Sequence, residues 1–230
     1  RHKLATVGLV LNVDSNNIIS YNNGSSRVYD LTLKRNNGTL TNGVSVTNRN
    51  VFSFDGINDY IDFGNDSSLD FGSGNFTASI LFRYTNAGSR CTIMNKFYYL
   101  GGGTENGFYI DILSSGKIRS GFETNASNYS ITDSTSFVDN NKVFQATLVR
   151  KNNKASIYLN GRFESENTLS VGNVSTITSP CNFTIGRRND FQAPSFSNYF
   201  IGYVKSCQIY NRALSNEEIL NNYLAVKSIF

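Results

Sequence analysis

Few residues in this chain could carry out general acid–base or nucleophilic catalysis. The only histidine is His2, close to the start of the sequence, so Ser-His-Asp and Cys-His systems lack their base. Glu164 and Glu166 alternate along one predicted strand and so place two carboxyl groups on one face. They follow a predicted hairpin turn at Asn160-Gly161, and we interpret them as a solvated sheet edge. The sequence therefore predicts that the chain is not an enzyme.

A turn containing Asp55, Asn58 and Asp59 offers the best set of metal-binding oxygens. Calcium takes about six to eight oxygen ligands, among them carboxylates and backbone carbonyls. The alternative is structural, because Asp and Asn side chains also stabilise turns by bonding to nearby backbone groups. We expect the protein to fold without a metal, and calcium is the one cofactor that the sequence leaves open.

The elements that must position these residues are short strands separated by turn residues. The hydrophobic fraction is 39% and the aromatic fraction 13%, with many Gly, Asn and Ser residues and only two prolines. Phe, Tyr, Val and Ile suit a pleated, half-buried surface, and the small polar residues suit tight turns. Many short strands at this spacing are typical of a β-sandwich or barrel. Strands are predicted at residues 7–13, 51–54, 60–63, 76–84, 92–97, 108–112, 118–122, 127–131, 142–150, 155–159, 181–185 and 201–210.

Two local signals refine this assignment. Asn160-Gly161 between β-forming residues is typical of a type I′ hairpin, in which both central residues need a positive φ. Ser215 and Glu218 form a predicted capping box that opens a short helix near the end of the chain. No composition break or long linker divides the sequence. We therefore predict one domain over residues 1–230, with a core at about residues 7–225.

Charge and cysteine content exclude several functions. The net charge of +4 is scattered, whereas nucleic-acid binding usually needs a concentrated basic surface. No apolar run approaches the ~18 residues of a membrane-spanning helix. We therefore predict neither nucleic-acid binding nor membrane insertion. Cys91, Cys181 and Cys207 lack metal-ligand spacing and are interpreted as small buried side chains, with one disulfide and a free thiol as the alternative.

Several motifs follow one another along nearly the whole chain. They occupy residues 8–11, 28–31 and 36–43, a hairpin at 52–61, a second hairpin at 155–161, and a closing segment at 184–187 and 202–214. In this order they resemble the laminin-G-like jelly-roll modules of the concanavalin A-like lectin and glucanase superfamily. The resemblance implies an all-β fold of two antiparallel sheets with a short C-terminal helix. The opening motifs are similar to modules carried on phage and other virus particles.

The chain departs from this family at two positions. Family members often carry an acidic pair in the closing strand, where this sequence has Lys205-Ser206. If that acid completes a calcium site with the loop at Asp55, this chain has lost one ligand. The family's frequent Trp after residues 75–77 is also absent, and Phe82 takes its place.

Glycan binding is the function that best fits such a fold. Sugar sites on these sandwiches are formed by loops that present flat aromatic rings beside Asn, Asp or Arg. Each aromatic residue could instead belong to the core. The candidate ligand-binding residues are Tyr98, Tyr99, Arg187, Arg188, Asp190 and Phe191.

The resemblance and the missing catalytic residues together predict a non-enzymatic structural or adhesion module. We expect it on a virion surface or outside a cell, as a capsid decoration, head-fibre or tail-fibre component. Its expected partners are capsid or fibre proteins, surface polysaccharide, or both, and self-association through an edge strand stays open. The alternative is a secreted carbohydrate-binding module or a polysaccharide-active enzyme domain.

Overall fold

The protein is a sandwich of two antiparallel β-sheets with one helix near its C-terminal end. The computed structural model describes residues 2–47, 49–85, 88–98, 105–125, 127–166, 170–171, 179–188 and 198–227. Every strand pairing in the described part of the chain is antiparallel. The two-sheet jelly-roll architecture predicted from the sequence is confirmed.

The first sheet has eight strands, and β17 is paired on both of its edges. One half of β17 pairs with β5 and the other half with β1, while β7 covers its opposite edge along most of its length. The order across this sheet is β14 (Arg162–Glu166), β13 (Lys154–Leu159), β12 (Val143–Lys151), β7 (Phe76–Tyr84), β17 (Ile201–Tyr210), β5 (Phe52–Asp55) and β4 (Ser45–Val46), with β1 (Leu9–Asp14) beside β17.

The second sheet has nine strands and carries the candidate site. Its centre is a meander in which β8, β9, β10 and β11 pair in sequence order. The order across this sheet is β15 (Ser170–Val171), β11 (Asn128–Phe137), β10 (Lys117–Asn125), β9 (Asn106–Ile112), β8 (Cys91–Tyr98), β16 (Thr184–Ile185), β6 (Tyr60–Asp62), β3 (Gly38–Thr41) and β2 (Arg27–Val28).

The core lies between the two sheets and is formed by alternate residues of their strands. Phe76 of β7 meets Phe108 of β9 across the sandwich, with ring centroids 4.9 Å apart. Phe82, at the position where the family often has Trp, is fully buried and lies 6.2 Å from the ring of Phe200. Burying such rings stabilises the fold by about 1.5–3 kcal/mol each. The strand alternation seen in the sequence therefore directs one face of each strand inward.

Helix α1 (Asn216–Val226) begins as the sequence predicts. The hydroxyl of Ser215 accepts a bond from the backbone N–H of Glu218, and the Glu218 carboxylate accepts one from the N–H of Ser215. Arg212 donates two further bonds to the same carboxylate, at 2.9 and 2.6 Å. This arrangement holds the pKa of Glu218 at about 2, chiefly through its bonds to Arg212. The helix packs on the outside of the eight-stranded sheet, where Ile219 joins a cluster with Tyr158 and Tyr210.

Several segments differ from their prediction. Val7 precedes β1 and is 71% exposed, because it lies in a turn that the N–H of Leu9 closes on the carbonyl oxygen of Thr6. The polar stretch at 15–43, treated as loop, contains the short strands β2 and β3, whose side chains give little hydrophobic pattern. The strand predicted at 181–185 is shortened to Thr184 and Ile185, the two residues that pair with β6 and β8.

The cysteines of the described chain are all free thiols. Cys91 and Cys207 are buried, as expected, whereas Cys181 is only half-buried. Burial raises the pKa of Cys91 to about 12, so this thiol is unreactive near neutral pH. Among the described residues, no helix combines the length and the apolar character needed to cross a membrane.

A buried lysine ties three segments of the chain together. Lys96 of β8 is 1% exposed, and its ammonium forms an ion pair with Asp70 at 3.0 Å. It also donates to the side-chain oxygen of Asn65 and to the carbonyl oxygens of Ser179 and Cys181. Burial lowers the pKa of Lys96. The ammonium is therefore surrounded by oxygen atoms, an arrangement that we name the oxygen cage. Its contacts hold the loops at residues 65–70 and 179–181 against β8 of the nine-stranded sheet.

Candidate functional site

The nine-stranded sheet has an outer face, defined as the side chains that point away from the eight-stranded sheet. Phe108, Ile110 and Ile112 of β9 point inward to the core, so Tyr109 and Asp111 between them point outward. In the strand register, Asp111 pairs with Thr92 of β8 on one side and with Arg119 of β10 on the other. This face carries a group of charged and polar residues that we name the central polar cluster: Arg90, Thr92, Asn95, Tyr109, Asp111, Arg119, Glu123 and Asp133.

Arg90 and Asp111 form the most buried ion pair of the cluster. The Arg90 guanidinium donates from Nε at 2.8 Å and from Nη2 to the same carboxylate oxygen. The Asp111 side chain is 1% exposed, whereas that of Arg90 is 33% exposed. Burial raises the pKa of Asp111 and the charge of Arg90 opposes that rise. Arg90 therefore compensates a carboxylate that has no access to water.

Arg119 and Asp133 form a second, more accessible pair on β10 and β11. Nε of Arg119 donates to Oδ1 of Asp133 at 2.7 Å and Nη2 donates to Oδ2 at 2.9 Å. Both side chains are about one-third exposed. The two parallel bonds orient the guanidinium plane, and its remaining N–H groups stay available to a ligand.

Glu123 is a buried acid of the cluster. Tyr109 donates its hydroxyl hydrogen to Glu123 at 3.3 Å. Burial, followed by the interaction with Glu105 just before β9, raises the pKa of Glu123 to about 7. A buried carboxyl group near a second acid is ionised less readily than one in water.

Three buried oxygens of the cluster have no hydrogen-bond partner among the described residues. They are Oγ1 of Thr92, Oδ1 of Asn95 and Oδ1 of Asp111, on side chains that are at most 1% exposed. Thr92 and Asp111 are neighbours on paired strands, and a side-chain interaction with Thr92 also opposes the rise in the pKa of Asp111. A buried acceptor without a partner costs about 1–3 kcal/mol. Unpartnered buried groups also occur on the eight-stranded sheet, at Arg83, Gln145, Ser206 and Gln208, so they do not by themselves mark a binding site.

The sequence predicted part of this region through its arginines. Arg188 lies over the ring of Phe97, 5.2 Å from its centroid, and its charge lowers the pKa of both Asp111 and Glu123. It therefore belongs with the central polar cluster. Arg187 lies over the ring of Tyr60, at 3.6 Å, in the part of the outer face formed by β6.

The aromatic candidates are placed differently. Tyr98 ends β8 opposite Asn106 and is half-buried, and alternation puts its neighbour Phe97 on the outer face. Phe97 is 2% exposed and supports Tyr109, with ring centroids 5.3 Å apart. Tyr99, Asp190 and Phe191 lie outside the described residues.

Several residues of the central polar cluster were not candidates in the sequence. Arg90, Tyr109, Asp111, Arg119 and Glu123 occupy β8–β10 and the loop before β8, and none was a candidate. Polar residues at alternate positions, as at Tyr109 and Asp111, were the available signal. That signal normally means a solvated strand face, and only the register between strands brings these residues together.

The candidate calcium ligands Asp55 and Asp59 each use one oxygen within their own turn, whereas Oδ1 of Asp59 is buried without a hydrogen-bond partner among the described residues. Oδ1 of Asp55 accepts bonds from the backbone N–H groups of Ile57 and Asn58, and Oδ2 of Asp59 accepts one from Asp55. Burial raises the pKa of Asp59. No group of three or more His, Cys, Asp and Glu side chains suited to a metal occurs in the described ranges. These oxygens stabilise the turn, and calcium binding remains a prediction.

Lys205 does not reach that turn. Asp55 pairs with Ile201, and Lys205 lies further along β17 in a bulge. Its ammonium donates to the carbonyl oxygen of Asn50 at 3.0 Å. The residue that replaces the family's acid therefore has a structural contact of its own.

Glu164 and Glu166 lie on β14, the edge strand of the eight-stranded sheet. Glu164 accepts bonds from the hydroxyl of Thr135 and the N–H of Ser136, and Glu166 pairs with Lys154 at 2.7 Å. Each carboxylate is held by partners of its own, and Ser165 between them donates to the carbonyl oxygen of Asp133 at 2.5 Å.

Comparison with known proteins defines the class to which this fold and face belong. The family model described as the concanavalin A-like lectin/glucanases superfamily matches residues 55–220. The match spans more than half of the chain, and the protein is a member of this superfamily. The sequence-based assignment is thereby confirmed. No curated relative matches the chain in sequence.

Solved structures share the fold at low sequence identity. The binding domain of Paraclostridial Mosquitocidal Protein 1 matches with a TM-score of 0.72 and 14% identity, over 95% of this chain and 52% of that one. The receptor binding domain of botulinum neurotoxin C/D mosaic serotype matches with a TM-score of 0.68 and 15% identity, over 95% and 51%. Trypanosoma rangeli sialidase in complex with sialic acid matches with a TM-score of 0.69 and 17% identity, over 98% and 34%. The chain spans about half or less of these proteins.

Proposed function

We propose that this protein is a non-enzymatic glycan-binding module whose ligand contacts the central polar cluster. The observation that carries the proposal is the concentration of paired charges on the outer face of the nine-stranded sheet. Sugar hydroxyl groups both donate and accept hydrogen bonds, and such a face offers both kinds of partner. Membership in a superfamily that contains lectins supports the same function.

The accessible part of the cluster would make the direct contacts. Arg119 and Asp133 are each about one-third exposed, and Arg90 is similarly accessible. Tyr109 is only 6% exposed and Phe97 is 2% exposed, so these rings would not contact the ligand directly. They would support the guanidinium groups of Arg90 and Arg188, which lie over them. Guanidinium groups fixed by carboxylates are preorganised, which reduces the entropy lost when a ligand binds.

The motifs at residues 8–43 support display on a virus particle or outside a cell. We therefore propose a virion surface component, either a capsid decoration or part of a head or tail fibre. Its work there would be adhesion to surface polysaccharide, with capsid or fibre proteins as neighbours. Electron microscopy of particles labelled with antibodies against the purified domain would test this location, and unlabelled particles would contradict it.

A polysaccharide-active enzyme is the second candidate, because Glu105 and Glu123 bring two acids together on the same face. Glycoside hydrolases keep their two carboxyl groups about 5–5.5 Å apart when retaining and about 6.5–9.5 Å apart when inverting. Burial, followed by the charge of Glu105, raises the pKa of Glu123 to about 7, as a general acid requires. Activity on a polysaccharide would therefore depend on Glu123.

A glycan array tests the proposed function directly. We expect selective binding by the wild-type protein and at least tenfold weaker binding by Arg119→Gln and Arg188→Gln. Arg162→Gln is the matched control, since Arg162 is exposed on the edge strand β14 and should bind like wild type. No binding to any glycan would overturn the proposal. Release of reducing ends from a bound polysaccharide, abolished by Glu123→Gln, would establish the enzyme instead.

A further inference from the structure

We infer that a cavity beside Phe71, at one end of the sandwich, is a second binding site and takes a single neutral sugar unit. The cavity has a volume of about 340 Å³. This volume lies at the lower end of the range for small-molecule sites. The cavity shares no residue with the central polar cluster and therefore adds a site beyond the proposed function.

Strand register brings the walls of this cavity together. Tyr210 of β17 pairs with Thr77 of β7 on one side and with Leu9 of β1 on the other. The residues just before β7, just after β17 and at the start of β1 therefore meet at one end of the eight-stranded sheet. The short 3-10 helix Ser67–Leu69 and the residues that follow it close the opposite wall. The polar residues of the lining are Lys34, Ser67, Ser68, Asp70, Asn75 and Asn211.

The floor of the cavity is apolar. It is formed by Val10 and Phe71, which are 3% and 9% exposed. The ring of Phe71 stacks on that of Phe76, with centroids 4.7 Å apart and planes inclined by 14°, so its orientation is fixed. A pyranose ring has an apolar C–H face that can pack on such a floor while its hydroxyl groups point to the polar walls.

Hydrogen bonds within the protein fix these walls in place. Ser68 accepts a bond from the side-chain amide of Asn36 at 2.9 Å. Oδ1 of Asp70 pairs with the ammonium of Lys96 at 3.0 Å, and Oδ1 of Asn75 accepts a backbone N–H bond at 2.7 Å. A site that is ordered in advance loses less entropy when a ligand binds.

The same walls keep polar atoms available to a ligand. Within the part of the chain that the structure describes, Oδ2 of Asp70, Nδ2 of Asn75 and the side-chain amide of Asn211 form no hydrogen bond. The cavity therefore offers an acceptor at Asp70, a donor at Asn75 and both kinds of group at Asn211. Adjacent hydroxyl groups of a sugar, each of which donates and accepts, match this set.

The charges around the cavity favour a neutral sugar over an acidic one. The carboxylate of Asp70 is balanced by Lys96. The pKa of Asp66 is lowered chiefly by its bonds from Ser68, and the nearby charge of Lys34 contributes to the same shift. Two positive charges thus meet two negative charges, and no net charge is left to attract a carboxylate or sulfate group on the ligand.

Nitrogen-15 NMR of the full chain tests the site. The protein is titrated with the methyl glycosides of glucose, galactose, mannose and N-acetylglucosamine. We expect at least one of them to shift the side-chain NH₂ signals of Asn75 and Asn211 with saturation. No saturable shift of these signals with any of the four sugars would overturn the inference.

Two variants place the bound sugar in the cavity. Ser67→Trp fills the cavity from its exposed rim and should weaken binding at least tenfold, whereas Ser114→Trp, at an exposed turn, should bind like wild type. Asn211→Ala adds no bulk and should weaken binding about threefold to tenfold through the loss of a hydrogen bond. Its control is Asn23→Ala, also at an exposed turn. Wild-type affinity in both cavity variants would overturn the site.

A charge variant tests the class of ligand. Lys34→Gln should change the affinity for the neutral sugar by less than threefold, as should Lys151→Gln at an exposed position elsewhere. A tenfold loss with Lys34→Gln alone, or tighter binding of glucuronic acid than of all four neutral sugars, would overturn the neutral class.

Arg119→Gln separates this site from the central polar cluster, to which Arg119 belongs, and should leave the cavity titration unchanged. A blank glycan array together with a cavity that binds would overturn the proposed function alone. Array binding that Arg119→Gln weakens, with no shift at Asn75 and Asn211, would overturn the second site alone. Loss of the cavity shifts in Arg119→Gln would overturn the separation of the two sites.

Discussion

Asp111 lies beneath Arg90 on the outer face of the nine-stranded sheet, so that the carboxylate is 1% exposed and the guanidinium 33% exposed. The pair joins β9 to the segment that leads into β8. Its two members are therefore unequal, since one has water available as a substitute partner and the other does not. Removal of one member should have a different effect from removal of the other.

We predict that Arg90→Gln destabilises the protein by about 3–5 kcal/mol, because it leaves a buried carboxylate without compensation. Asp111→Asn should cost less, since Arg90 can turn toward solvent. The double variant should be more stable than Arg90→Gln alone. Urea unfolding of the three variants measures these differences. The idea would be contradicted if both single variants lost the same free energy of unfolding and the double variant lost the sum of the two. The pair would then contribute no coupling energy.

The raised pKa of Glu123 predicts that the stability of the protein decreases as the pH rises toward neutrality. Its pKa rises from an ordinary 4.5 to about 7 on folding, so the folded protein binds the proton more tightly than the unfolded chain. The contribution of Glu123 to the free energy of unfolding is therefore largest below about pH 4.5. It decreases as the pH rises through 7, by at most about 3 kcal/mol. Glu123→Gln should remove that loss. Urea unfolding at pH 5 and pH 8 provides the measurement, and a wild-type loss that Glu123→Gln retains would assign it to other groups.

The strands were predictable where one face of the strand is apolar throughout. Residues 76–84 form β7 with the predicted bounds, since Phe76, Ala78, Ile80 and Phe82 alternate along its buried face. Residues 201–210 form β17 with the predicted bounds, although a bulge between Val204 and Ser206 interrupts its alternation. The prediction at Val7 is wrong because Val7 lies in the turn before β1, which Gly8 completes with a positive φ. The apolar side chain of Val7 hid this turn in the hydrophobic pattern.

The candidate site was less predictable than the fold because it depends on register. Tyr109 and Asp111 alternate with core residues, which is also the pattern of an ordinary solvated face. These residues form a cluster only because strand pairing places Thr92 and Arg119 beside Asp111. Pairing between strands is a long-range property, whereas Arg188 could be proposed from its local composition alone.

The oxygen cage around Lys96 predicts a strong effect on stability. Lys96→Met fills a similar volume but leaves the Asp70 carboxylate and the carbonyl oxygens of Ser179 and Cys181 without their donor. We expect a loss of about 3–5 kcal/mol, as for other broken buried pairs. Lys154→Met is the control, since the ion pair of Lys154 with Glu166 is largely exposed and should be worth under about 1 kcal/mol. Thermal unfolding of both variants compares them, and equal shifts would mean that the cage does not anchor the loops.

Calcium should have no effect on the stability of this protein. One oxygen of Asp55 and one of Asp59 already accept backbone bonds within their own turn, and Lys205, at the place of the family's acid, bonds to Asn50. A metal that binds only the folded state raises its stability in proportion to the logarithm of its concentration. We therefore expect the same melting temperature in EDTA and in millimolar calcium. A rise in calcium that Asp59→Asn abolishes would instead establish a metal site at this turn. Asp139→Asn, at an exposed ion pair with Lys142, controls for the loss of one surface charge.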